Sequence, residues 1–152
     1  MKKVLSLVCL LALVATCLFA FASCGSPNED PAEAKKALEG NGYTVNYAVN
    51  DDGVGKLYAS KGEKDDAQYI TIQWFATEEE AEAEYKKLEE QVEAFEKSIE
   101  ELEKQLSEAE GTVAEELEKQ LEEAEKELDD ANYGISGKMI WSGTSQAVSD
   151  AK

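Results

Sequence analysis

Residues 77 to 131 read TEEEAEAEYKKLEEQVEAFEKSIEELEKQLSEAEGTVAEELEKQLEEAEKELDDA, and the spacing of the apolar residues in this stretch decides the architecture. Ala81, Tyr85, Leu88, Val92, Phe95, Ile99, Leu102, Leu106 and Ala109 recur by alternating fours and threes, which is the seam of a coiled coil. Thr77-Glu78-Glu79-Glu80 opens the segment as a capping box, the Thr oxygen taking one orphan N–H while Glu80 reaches back to the Thr77 backbone. Past Gly111 the same heptad would put Glu116, Gln120 and Glu123 on the seam, whereas the apolar residues are Ala114, Leu117, Leu121, Ala124 and Leu128. The register restarts. Gly111 suits a helix C-terminus, and Thr112-Val113-Ala114-Glu115 reads as a second capping box.

A continuous helix with a stutter is the rival reading, but from Thr77 to Asp130 it would make a rod of about 80 Å. That rod would carry the next strand far from the sheet it must join. The seam positions also mirror about Gly111-Thr112: Ala109 with Ala114, Leu106 with Leu117, Leu102 with Leu121, Ile99 with Ala124, Phe95 with Leu128 and Val92 with Ala131. The pattern predicts an antiparallel coiled-coil hairpin inserted over 92–131, about 27 to 30 Å long, after an ordinary helix over 77–91 packed on a sheet. Five Glu/Lys pairs at i, i+4 support the helices, namely Glu82/Lys86, Glu93/Lys97, Glu100/Lys104, Glu115/Lys119 and Glu122/Lys126, each by a few tenths of a kcal/mol.

Working outward, Asp30-Pro31-Ala32-Glu33 has the form of a helix start, and Gly40-Asn41-Gly42 stops a helix over 31–39. From Tyr43 the period falls to two, with Tyr43, Val45, Tyr47 and Val49 on one side of a half-buried strand. Asn50-Asp51-Asp52-Gly53 resembles the opening of a calcium loop, yet lacks its alternating acids and closing Glu, and reads as a turn. A weaker strand follows over 55–60. The strongest strand spans 67–75, with Ile70, Ile72 and Trp74 toward the core and Tyr69, Thr71, Gln73 and Phe75 on the opposite face. A last strand over 135–141 places Ile135, Met139 and Trp141 on one side, and a terminal helix starting at Ser142-Gly143-Thr144 carries Ala147, Val148 and Ala151. The expected fold over 31–152 is a single α+β domain: a small four-stranded, mainly antiparallel sheet with packed helices and the inserted hairpin.

At the other end of the chain, Met1-Lys2-Lys3 is a positive n-region, Val4 to Phe21 is apolar, and Ala22-Ser23 supplies small residues before Cys24. Phe21-Ala22-Ser23-Cys24 resembles the processing box of bacterial lipoproteins. The resemblance implies a signal peptide over 1–23, a mature chain that begins at Cys24, and acylation of that cysteine with two chains and, in many bacteria, a further N-acyl group such as palmitate. Two chains suffice for stable anchoring. Cys17 follows Val14-Ala15-Thr16 and fits less well, and the 4–22 run also approaches the length of an uncleaved membrane anchor. Either reading puts the body outside the cytoplasmic membrane, with residues 24–30 as a polar tether. The body is also similar to short α/β bodies behind such boxes in lipoproteins of Gram-positive anaerobes, a likeness without a motif that carries a function.

Cleavage removes Cys9 and Cys17, acylation uses Cys24, and no thiol remains for a disulfide scaffold. There is no His and no Arg. Imidazole bases, Ser/His and Cys/His pairs and the common zinc sets are thereby removed, and no cofactor or metal is expected. The mature chain keeps 13 lysines against 33 acids, which repels nucleic acid and anionic surfaces. No phosphate loop or nucleophile elbow is present.

Tyr58, Tyr69, Phe75 and Ile140 alternate away from the core set and share the second face of the sheet. They form an aromatic patch for a peptide or glycan if the face is open, and core if a helix covers it. The expected function is a lipid-anchored, non-catalytic binding or scaffolding module with an envelope protein, peptide or glycan as partner. The alternative is a carboxylate-based hydrolase with two acids across a cleft. A two-lobed solute receptor needs a longer chain.

Overall fold

Residues 25–63 and 67–152 are described by the structure, a computed structural model; the leader and Cys24 lie outside the described residues. The elements run α1 Pro31–Gly40, β1 Thr44–Val49, β2 Gly55–Lys61, β3 Gln68–Trp74, α2 Glu78–Glu108, α3 Thr112–Asp130, β4 Ala131–Ser136, β5 Met139–Thr144 and α4 Ser145–Asp150. The described strands form one sheet in the order β1-β2-β3-β5-β4 with every neighbouring pair antiparallel. The fold is α+β.

Two expectations about the C-terminal strands are corrected. The single strand expected over 135–141 is the junction of two, because Gly137 and Lys138 make a two-residue turn that pairs Ser136 with Met139 and Ile135 with Ile140. Gly137 has φ 54, the left-handed conformation that both tight hairpin turns require at their first position. The sheet therefore has five strands, not four, and Ile135 shares a face with Ile140 and not with Met139 and Trp141. Ser142-Gly143-Thr144 extends β5, and the terminal helix begins at Ser145 with Thr144 as its N-cap.

One face of the sheet holds the core. Leu57, Ala59, Ile70, Ile72, Met139 and Trp141 pack there against Ala34 and Leu38 of α1 and Ala147, Val148 and Ala151 at α4. Asp30 caps α1, its carboxylate accepting from the Ala32 and Glu33 amides at 2.8 and 3.3 Å, with Pro31 at the first helical position as predicted. The 25–30 segment is not wholly a tether. Pro27 is fully buried, the Asn28 amide donates to the Ala151 carbonyl at 2.9 Å, and the Trp74 indole donates to the Glu29 carbonyl at 2.8 Å.

β1 lies on an edge of the sheet, pairs with β2 in unbroken register, and contains no charged residue and no Pro. Its apolar side chains lose cover along the strand. Val45 is half-buried, whereas Tyr47 and Val49 are exposed, the Tyr47 ring standing edge-on to Trp74 at 6.0 Å. The turn after it is held by Asn50, whose side-chain oxygen accepts from the Asp52 and Val54 amides at 3.1 and 2.8 Å.

α2 opens with the expected capping box, Glu80 N to Thr77 Oγ1 and Thr77 N to Glu80 Oε2 both at 3.2 Å. It ends at Glu108, and α3 packs back against it. The second capping box does not form: Gly111, with φ 64 and ψ −138, is itself the N-cap of α3, and no side chain closes that end. Every apolar residue placed on the α2 seam is buried or half-buried, as are Ala114, Leu117, Leu121, Ala124 and Leu128 of α3, while their neighbours are mostly exposed. Of the five i, i+4 pairs expected, Glu93–Lys97 closes, at 2.7 Å; Lys119 turns instead to Glu123 and Lys87 pairs with Glu84. These lysines are solvated and flexible, and several acids lie within reach of each.

Candidate functional site

The second face of the sheet is covered over half its width. α2 lies on β5 and β4, where Ala81 and Ile140 are almost fully buried and the Tyr85 and Tyr133 rings meet at 6.3 Å. Burial first, then the charges of Glu89 and Glu96, push the Tyr133 hydroxyl above the usual tyrosine range. Burial, then the Glu89 charge, does the same for Tyr85. Toward β1 and β2 the face is open, and Thr44, Asn46, Lys56 and Tyr58 are exposed there.

A groove of about 210 Å³ follows the boundary between the covered and open halves. Lys56, Thr71, Gln73, Ile140 and Ser142 line it from the sheet, and Glu84, Lys87, Leu88 and Gln91 line it from α2. Strand alternation and register put the sheet residues there, since Lys56 lies opposite Gln73 and Thr71 opposite Ser142. Lys87 closes on Glu84 at 2.6 Å. Lys56 makes no ion pair among the described residues. The groove is therefore a mainly polar cleft, with hydroxyls and carboxamides on its floor and a lysine at its open side.

The four residues expected to form a patch do not stay together. Tyr58 and Tyr69 are diagonal neighbours, Tyr58 opposite Thr71 and Tyr69 opposite Ser60, and both remain 38–48% exposed. Partial burial raises the Tyr69 hydroxyl above its ordinary value, and the carboxylates of Glu127 and Asp130 at the end of α3 add to the effect. Ile140 is core beneath α2, at 3% exposure. Phe75 lies just beyond β3 at the other end of that strand, half-buried, with its amide bonded to the Lys138 carbonyl at 2.8 Å.

Thr71 and Gln73 were legible as residues facing away from the core. Their role in a groove was not, because it depends on how far α2 reaches across the sheet. Glu84, Lys87 and Gln91 look like ordinary solvated helix positions in sequence. Among the described residues no cluster of three or more acidic or thiol side chains is placed to hold a metal ion, and no helix is long and apolar enough to cross a membrane. No protein-family model, curated protein sequence or solved structure matches the chain.

Proposed function

We propose that the chain is a lipid-anchored protein held outside the cytoplasmic membrane through Cys24, and that it is a non-catalytic binding module whose half-open sheet face holds a glycan of the cell envelope. The observation that carries this reading is the polar groove beside two exposed tyrosines. A sugar ring offers an apolar face and a rim of hydroxyls, and Tyr58 and Tyr69 supply flat apolar surface next to the amides and hydroxyls of Gln73, Gln91, Thr71 and Ser142. Lys56, which makes no ion pair among the described residues, favours a glycan that also carries a carboxylate. A hydrolase would need two carboxylates on one cleft, and Glu84, the acid lining this groove, is tied to Lys87. In this reading α2 and α3 form an antiparallel coiled coil within 92–131, supported by the mirrored seam and by the burial of its residues as far as Leu128; the expected Val92–Ala131 pair falls outside it, since Ala131 is exposed and opens β4.

The test is an amide-resolved NMR titration of the detergent-solubilised full chain with soluble wall oligosaccharides, with a short acidic peptide as comparator. Shifts concentrated at Lys56, Tyr58, Tyr69, Thr71 and Gln73 with the oligosaccharide alone are expected. Shifts with the peptide alone, shifts confined to 92–131, or none at all would sink the glycan reading.

A further inference from the structure

Glu29, just before α1, is fastened to one end of the sheet, and the residues ahead of it to the end of α4. Pro27 is buried, the Asn28 amide is bonded to the Ala151 carbonyl, and Glu29 is gripped twice, its carbonyl by the Trp74 indole and its carboxylate by the Ser136 hydroxyl at 2.9 Å. Trp74 and Ser136 both flank Met139, and so mark the same end of the strands. Only Gly25 and Ser26 separate Cys24 from Pro27, so even a fully extended chain keeps residue 24 within about 10 Å of the body.

The paired helices belong to the other end and the other face. α2 starts beside Trp74, crosses the face opposite the core past Tyr133, and continues beyond the sheet. α3 returns at Asp130 into Ala131, whose partner is Thr144, at the end remote from Trp74 and Ser136. Six strand residues span about 20 Å and each helical arm a further 25 to 30 Å or so. The 92–131 stretch also carries 16 acids against four lysines, which an anionic bilayer repels.

We propose that the bilayer meets the body at its Trp74–Ser136 end, and that the paired helices stand away from the membrane with the 109–112 turn outermost. This rests on lipid anchorage at Cys24. The groove then opens sideways along the body and the acidic arm reaches outward from it.

The test uses the full chain in membranes, with single reporter cysteines at two exposed positions, Lys138→Cys in the β4–β5 turn beside Ser136 and Val113→Cys at the helical turn, each labelled with a small fluorophore and read against a nitroxide on the lipid headgroups. Quenching severalfold stronger at 138 than at 113 is expected, and a long flexible Gly-Ser insertion between Ser26 and Pro27 should remove most of the difference. Equal quenching at the two sites, or stronger quenching at 113, overturns the orientation. Anchorage is scored separately by Cys24→Ala. Release of that variant alone upholds the lipid whatever the reporters give, whereas retention of it removes the lipid and this orientation together.

Discussion

The indole of Trp141 lies across Gly134 on the neighbouring strand. The two residues are direct cross-strand partners, and a Cβ built on Gly134 would collide with the six-membered ring. The indole N–H then reaches Asn132 Oδ1 at 3.1 Å, two residues along the same strand. Glycine at 134 is the space into which the aromatic core closes at the β4 edge, where a larger residue would lift the ring off the sheet.

Gly134→Ala should therefore destabilise the fold by about 1–3 kcal/mol, the usual cost of overpacking a filled site. Urea unfolding measures it, and a red shift of tryptophan emission reports displacement of the ring. An unchanged midpoint would mean that the sheet edge gives way at no cost.

Alkaline stability depends on Tyr43. Its hydroxyl donates to Asp150 Oδ2 at 3.0 Å, and burial, then this bond and the carboxylate charge, push it from 10.0 up to about 12. The folded state keeps the proton after the unfolded chain has lost it. The contribution is thus complete below about pH 10 and lost as pH rises to about 12. Tyr43→Phe should flatten the fall in urea midpoint across that window, and an unaltered slope would assign the fall to other groups.

Glu103 acts in the opposite sense. One of its carboxylate oxygens is buried without a partner, and burial, then Glu125 on α3 and Glu100 on its own helix, raise the carboxyl above the ordinary value. A raised carboxyl costs stability at neutral pH, and the cost fades as pH falls through its folded value. Glu103→Gln should raise the melting temperature at pH 7 and give no gain in acid. A gain that persists in acid would point to packing and not charge.

At Gly111 a Cβ would meet no atom within 4 Å, so the cost of Gly111→Ala is purely that of its backbone, φ 64 and ψ −138. That region excludes side chains and should cost about 1–3 kcal/mol. Hydrogen exchange should locate the loss in 92–131, with β2 and β3 keeping their protection. Uniform loss throughout would show that the paired helices and the sheet unfold as one unit.

The break at Gly111 was legible because the apolar register restarts there, and β1 to β3 because two-residue alternation runs between polar turns. The β4–β5 hairpin was not. Its turn is Gly137-Lys138 alone, and the apolar residues at 135, 139 and 141 stay in phase across it, imitating one continuous strand. The second capping box had the correct residue types, but Gly111 takes the cap position one residue earlier. At the site, the direction of Tyr58 and Tyr69 followed from alternation, whereas the burial of Ile140 depended on the packing of α2, a contact between residues far apart in sequence.

The β1 edge has a consequence for solubility. Sheets commonly guard such an edge with a lysine, a proline or a bulge, and Thr44 to Val49 has none of these. What keeps two copies from joining edge to edge is then the mutual repulsion of whole molecules, a barrier that fades as salt shortens the Debye length from about 10 Å to about 3 Å. Colloidal stability in this protein is consequently a property of the buffer: scattering should rise with added salt, and Asn46→Lys should restore a clear solution.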